Sequence, residues 1–157
     1  MVRAKYTRPL ITKAELKHVR SLQQKKYRDS TGLFLVQGPK LVAELLACDG
    51  PVEALFVTEE AQLKYNWPSS TVLPAHELDR LGTLDSGVEA IAVVRKSIPE
   101  KFGTTRTNEL ILVLDGVRDP GNLGTLLRIA DWFGIARVVC SPDCVEVWNP
   151  KCVQASM

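Results

Sequence analysis

The chain has 157 residues, 45% of them apolar and 24% charged, an ordinary globular composition with room for one domain or two small ones. No apolar run approaches the ~18–20 residues of a membrane-spanning helix. No apolar core follows Arg3, Lys5 and Arg8, so a membrane span and a secretory signal are excluded and a cytoplasmic protein is expected. The net charge of +2 hides an uneven spread, because residues 1–28 hold nine Lys or Arg against one acid, Glu15, and the remainder is acidic. A basic end on an acidic body suits an anionic partner such as nucleic acid; a solvated tail and a charged helix face account for it equally well.

In chain order, Thr12 and Glu15 form a capping box that opens a helix running to about Lys26. Leu16, Val19 and Leu22 make its narrow apolar stripe, while Lys13, Lys17, Arg20 and Lys25 fall largely off it and are free to meet phosphates. Arg28 reads as part of the loop before the next strand, beside Asp29–Gly32. Leu33–Val36 reads as a strand, Gly38-Pro39 opens a helix with Leu41, Val42, Leu45 and Leu46 inward, and Val52–Val57 is the next strand. A helix capped by Thr58, a short strand at Thr71–Leu73, a short helix at His76–Leu81 and a strand at Ala90–Val94 follow. This alternation predicts an α/β domain with a mainly parallel sheet.

Residues 95–108 are polar, contain Pro99 and Gly103, and show no sustained period, which marks a linker. Beyond it, Leu110–Leu114 is apolar throughout and reads as a fully buried strand. The turn DGVRDPGN leads into a helix at Leu123–Phe133 that stops at Gly134; Ile135–Cys140 is a further strand, and Asn149-Pro150 opens a last helix. Cys48, Cys140, Cys144 and Cys152 form no disulfide framework, and no His stands near Cys140 and Cys144 to complete a zinc site, so packed thiols and no metal are expected.

The Asp115–Asn122 turn lies at the carboxyl end of a strand and at the start of a helix, the edge where open α/β sheets bind ligands. Gly121 and Gly124 permit close backbone approach to a ligand. Neither a phosphate-binding GxxxxGK[ST] nor a GxGxxG is present here, so the same residues also fit a plain tight connection, with Asp119 before Pro120 as turn chemistry. Arg128 stands among apolar neighbours with Asp131 three residues on, the spacing of an ion pair. Trp132 and Trp148 read as packing residues rather than base-stacking platforms, and His18 and His76 have no partner pattern.

LDGVRDPGNLGTLLRIADWFGI, residues 114–135, closely resembles the first signature motif of the SpoU/TrmH family of RNA methyltransferases, part of the knotted SPOUT superfamily. NPKCVQASM, from Asn149, is similar to the start of that family's second motif, and FLVQGPKLVAELL, from Phe34, to the opening of its small substrate-binding domain. The resemblance implies an α/β protein in three parts. A small ribosomal-protein-like RNA-binding domain spans 1–97, the linker 98–108, and the first half of a SPOUT trefoil-knot methyltransferase domain 109–157, with the knot region missing.

The same resemblance implies transfer of a methyl group from S-adenosylmethionine to a ribose 2′-hydroxyl in ribosomal or transfer RNA, by a homodimer in the complete protein. Asn122 and Arg128 match the residues central to activity. Physics adds that a guanidinium is a poor base at neutral pH, so Arg128 is expected to hold phosphate and stabilise developing oxyanion charge while Asn122 fixes the turn and orients Arg128 or the substrate. Arg20, Lys25, Lys26, Arg28 and Lys40 are the expected RNA contacts, joined by Lys151 in the second motif. Cofactor-binding residues are expected after Met157, so this chain alone is expected to be inactive and to leave an apolar edge or face uncovered. The competing readings are a non-catalytic RNA-binding module and a plain α/β interaction domain.

Overall fold

The computed structural model describes residues 11–83, 87–97 and 109–156; Arg3, Lys5, Arg8, the expected linker at 98–108 and Met157 lie outside them. Helix α1 (Lys13–Ser21) starts with the expected capping box. The Thr12 hydroxyl accepts from the Glu15 N–H at 3.2 Å, and the Glu15 carboxylate accepts from the Thr12 N–H at 2.7 Å. The expected continuation to Lys26 does not occur. The chain turns at Leu22–Gln24, and a separate helix, α2 (Lys25–Thr31), replaces the expected loop. Tertiary bonds cause the break: the Leu22 and Gln23 carbonyls each accept from the Arg28 guanidinium at 2.8 Å, and the Gln23 side-chain amide donates to the Leu81 and Gly82 carbonyls.

The next elements are β1 (Leu33–Gln37), α3 (Pro39–Ala47), β2 (Val52–Val57), α4 (Glu59–Tyr65), β3 (Thr71–Val72), α5 (Ala75–Leu81) and β4 (Ala90–Arg95). They build a four-stranded sheet in the order β1-β4-β2-β3. The sheet is not mainly parallel. Strand β4 inserts between β1 and β2 and runs antiparallel to both, which leaves β2–β3 as its parallel pair. Period-two alternation fills both faces. Leu35, Phe56, Ile91 and Val93 face α1 and α5 through Val19, Leu22, Leu78 and Leu81. Phe34, Val36, Leu55, Val57, Ala92 and Val94 face the other way, toward Val42 of α3 and Ala61 of α4.

A second sheet is a parallel pair, β5 (Ile111–Leu114) and β6 (Arg137–Cys140), joined by α6 (Pro120–Trp132). Helix α6 ends as expected at Gly134, whose φ of 64° lets its N–H reach the Asp131 carbonyl and that of Ile135 reach Ala130. Helix α7 (Pro150–Ala155) begins at Asn149, whose side chain accepts from the Lys151 N–H at 3.0 Å. The expectation of a fully buried first strand fails: Val113 is 69% exposed and only Leu114 of β5 is buried. The two sheets meet where α7 packs against β1, with Trp148 and Phe34 ring centroids 4.6 Å apart. Among the described residues no helix is long and apolar enough to cross a membrane.

Candidate functional site

The turn after β5 is held from three sides. The Gly116 N–H donates to Ser141 Oγ at 3.0 Å, the Val117 N–H to Cys144 Sγ at 3.3 Å, and the Val145 N–H to the Val117 carbonyl at 2.9 Å. Each partner lies in the segment after β6, so the carboxyl ends of both strands form one braced edge. Asp119 is the N-cap of α6, accepting from the Asn122 N–H at 2.8 Å, and Pro120 fills the first helical position. The helix therefore begins three residues before the expected Leu123.

Its faces divide cleanly. Leu123 and Gly124 are buried, whereas Asn122 and Arg128 are exposed. Arg128 lies three residues beyond Thr125 and seven beyond Gly121, hence on one helical face with them. Long helical side chains lean toward the helix N-terminus, the end at which this turn lies. Gly124 does not serve approach to a ligand. A Cβ there would overlap the Cys152 carbonyl oxygen and come within 2.7 Å of the Ala155 Cβ, so this glycine exists to let α6 and α7 touch.

The cysteines carry a role the sequence did not show. Burial pushes the Cys144 thiol up, but hydrogen bonds with Ser141 and with the backbone of Val117, Ser141 and Gly116 outweigh it, and the thiol sits below its ordinary value. Burial raises Cys140, with the nearby Cys144 adding to it, and burial next to Cys140 pushes Cys152 up to about 11. Ser141 and Cys144 thus organise the turn as hydrogen-bonding groups. Their only sequence signal was proximity to a strand end. Among the described residues no group of three or more His, Cys, Asp or Glu is placed to hold a metal.

The expected RNA contacts separate into groups. Arg20, Lys25 and Lys26 are exposed around the α1–α2 turn, and Arg20 lines a groove of about 270 Å³ with Lys17, Arg80 and Glu77. Lys40 and Lys151 are exposed in the first turns of α3 and α7, on the opposite side of the four-stranded sheet. Arg28 is the correction: it is 2% exposed and cannot present its guanidinium to a phosphate. It donates instead to Leu22 and Gln23 carbonyls and, through Nε and Nη2, to Glu146 Oε1. Trp148 packs as expected, but Trp132 is 84% exposed beside Phe133 at 72%.

Comparison with known proteins assigns both halves. Residues 13–112 match the family described as MRM3-like substrate binding domain, and residues 109–157 match the SpoU rRNA Methylase family. The Bacillus subtilis 23S rRNA (guanosine(2553)-2'-O)-methyltransferase RlmP is 31% identical, over 90% of this chain and 57% of its own length. The mitochondrial rRNA methyltransferase 3 of Xenopus tropicalis is also 31% identical, over 86% of this chain and 35% of its own length. A crystallographic relative from Porphyromonas gingivalis, described as a putative RNA methyltransferase of the TrmH family, superimposes with a TM-score of 0.79 at 36% identity, covering 94% of this chain and 59% of that one. The AdoMet-bound rRNA methyltransferase of Sinorhizobium meliloti gives 0.74 at 26% identity, covering 94% and 58%. The chain thus spans between about a third and three fifths of the length of these four relatives.

Proposed function

We propose, for a chain that belongs to the MRM3-like substrate binding domain family and over residues 109–157 to the SpoU rRNA methylase family, a part in S-adenosylmethionine-dependent methylation of a ribose 2′-hydroxyl in RNA. Ribosomal RNA is the substrate named for its relatives, and transfer RNA belongs to the same chemical class. The observation that carries this reading is the braced strand edge. Asn122, in the first turn, and Arg128, two turns further on, are both exposed on a helix whose start is fixed by Asp119 and whose inner face is packed.

In this reading Arg128, permanently charged, holds an RNA phosphate in bidentate fashion and stabilises negative charge developing on the ribose oxygen. Asn122 orients the phosphate or the sugar at the helix start. Arg20, Lys25, Lys26, Lys40 and Lys151 hold the RNA backbone from the neighbouring surface. S-adenosylmethionine supplies the methyl group. The N–H groups of Gly116, Val117 and Asn122 at the strand edge are already bonded within the chain and are not open to it. No cofactor contact is therefore assigned to them.

The division into an RNA-binding domain at 1–97, a linker at 98–108 and a methyltransferase portion at 109–157 belongs to the same proposal, supported by a first sheet that ends at Arg95 and a second that begins at Ile111. So do a cytoplasmic location, beside relatives whose names say mitochondrial, and a homodimer, supported by the apolar surface of Leu110, Val113, Trp132 and Phe133. The non-catalytic RNA-binding alternative is not favoured, since the matched relatives are named as methyltransferases.

The test is methyl transfer to ribosomal RNA by the enzyme carrying Arg128→Lys. Loss of the fork geometry is expected to lower turnover by about 100–1000-fold. Near-normal turnover would sink the role given to Arg128.

A further inference from the structure

The Arg28–Glu146 pair joins residues 118 apart in sequence and lies where the first sheet's helices meet the segment after β6. Arg28 is 2% and Glu146 13% exposed, so both charges have been taken from water. Burying two ions is expensive and is seldom recovered as net stability against an apolar pair of similar volume. What a buried guanidinium contributes is direction, because its planar fork fixes several bonds at once.

All three nitrogens of that fork are used, and on two different parts of the chain. Nη1 donates to the Leu22 and Gln23 carbonyls at 2.8 Å each, which fixes the α1–α2 turn flanked by Arg20, Lys25 and Lys26. Nε donates to Glu146 Oε1 at 2.5 Å, and Nη2 reaches the same oxygen. From Glu146 the connection to the site is short. Its neighbour Val145 donates to the Val117 carbonyl inside the Asp115–Asn122 turn, and its own carbonyl accepts from the N–H of Asn149, the cap of α7. The apolar contacts of Trp148 and Val153 with the Phe34 side of the first sheet bring the two parts together, and the Arg28–Glu146 pair adds directional bonds to that packing.

We infer that Arg28 and Glu146 are positioning residues that set the angle between the basic α1–α2 surface and the Asp115–Asn122 turn, and so the register in which bound RNA meets Asn122 and Arg128. This rests on the proposed function for its consequence, though not for its geometry. A misplacement of about 1 Å at a reacting centre costs on the order of a hundredfold in rate, so an angular error at this contact acts on turnover rather than on affinity.

The experiment has two readouts. The first is the set of amide residual dipolar couplings of the full chain, compared among the parent, Arg28→Lys, Arg28→Met and Glu146→Gln. A single alignment is expected to fit both sheets in the parent. In Arg28→Met and Glu146→Gln the couplings of β5, β6 and α6 are expected to depart from those of the four-stranded sheet, while chemical shifts within each part stay in place. A single alignment in every variant would overturn the proposal. So would loss of dispersion in both parts of the mild variants Arg28→Lys and Glu146→Gln, since the pair would then be a folding element.

The second readout is steady-state methylation by the enzyme, where Glu146→Gln is expected to lower kcat about tenfold to a hundredfold with little change in the KM for RNA. A rise in KM at unchanged kcat would overturn the positioning role. A parent enzyme that methylates no RNA would instead overturn the proposed function and leave the couplings as the test of the pair.

Discussion

Strand β4 is buried along five consecutive residues, Ala90–Val94, whereas β5, just as apolar in sequence, buries only Leu114. The difference lies in what covers the faces. β4 runs down the middle of a sheet with helices on both sides. β5 belongs to a two-stranded sheet whose core gathers around Leu114, Leu123 and Cys152, while Leu110, Val113, Trp132 and Phe133 remain at the surface. These four large apolar side chains lie in water rather than in a core. The two parts divide the work: the first sheet holds the larger core, and the smaller second part carries the turn with Asn122 and Arg128.

The largest expected effect comes from attacking the first sheet. Leu35→Ala should cost about 2–5 kcal/mol, because Leu35 is fully enclosed between β1 and the α1 and α5 helices. Urea denaturation gives the value, and native-state hydrogen exchange should show protection lost across both sheets. The matched change Leu123→Ala should lower protection in β5, β6 and α6 and leave β1 and β4 protected. Equal loss everywhere in both variants would break the comparison.

A smaller effect should come from Gly124→Ala. The new methyl has no room against the Cys152 carbonyl and the Ala155 Cβ, and overpacking of this kind costs about 1–3 kcal/mol. The near-ultraviolet dichroism of Trp148, just before α7, should change with it, while the exchange of β4 amides should not.

The smallest effect is a dependence on alkaline pH confined to the second core. The Cys152 thiol is raised from its ordinary 9.0 to about 11, chiefly by burial. The unfolded chain therefore loses this proton first as pH rises. The contribution of the protonated thiol to stability is complete below pH 9.0 and is lost as pH climbs toward about 11. Cys152→Ala should flatten that part of the stability profile, read as unfolding midpoint against pH. An unchanged profile would place the thiol in a wetter site than the comparison allows.

Much of the local architecture was legible in the residues. Thr12 with Glu15, Thr58, and Asn149 before Pro150 each cap a helix where expected, because a cap acts within one turn of its own backbone. The motif around Asn122 and Arg128 was readable for the same reason, since its spacing lies within one turn and one helix. Sheet order was not: β4 follows β3 in sequence but pairs with β1 and β2, so the expectation of a mainly parallel sheet failed. Nor was the break in the first helix, which depends on Arg28 and Gln23 reaching carbonyls across turns.

Arg28 shows most plainly what each level decides. The sequence alone determined a run of cations, Lys25, Lys26 and Arg28, beside a helix, and the family motif further on. Only the tertiary structure decided that two of the three stay in water while the third turns inward to Glu146. Patterns of period and capping are written in neighbouring residues and act over a few ångströms of backbone. Burial and charge pairing depend on groups brought together across the whole chain, and a lysine–arginine run carries no mark of which member will meet its partner.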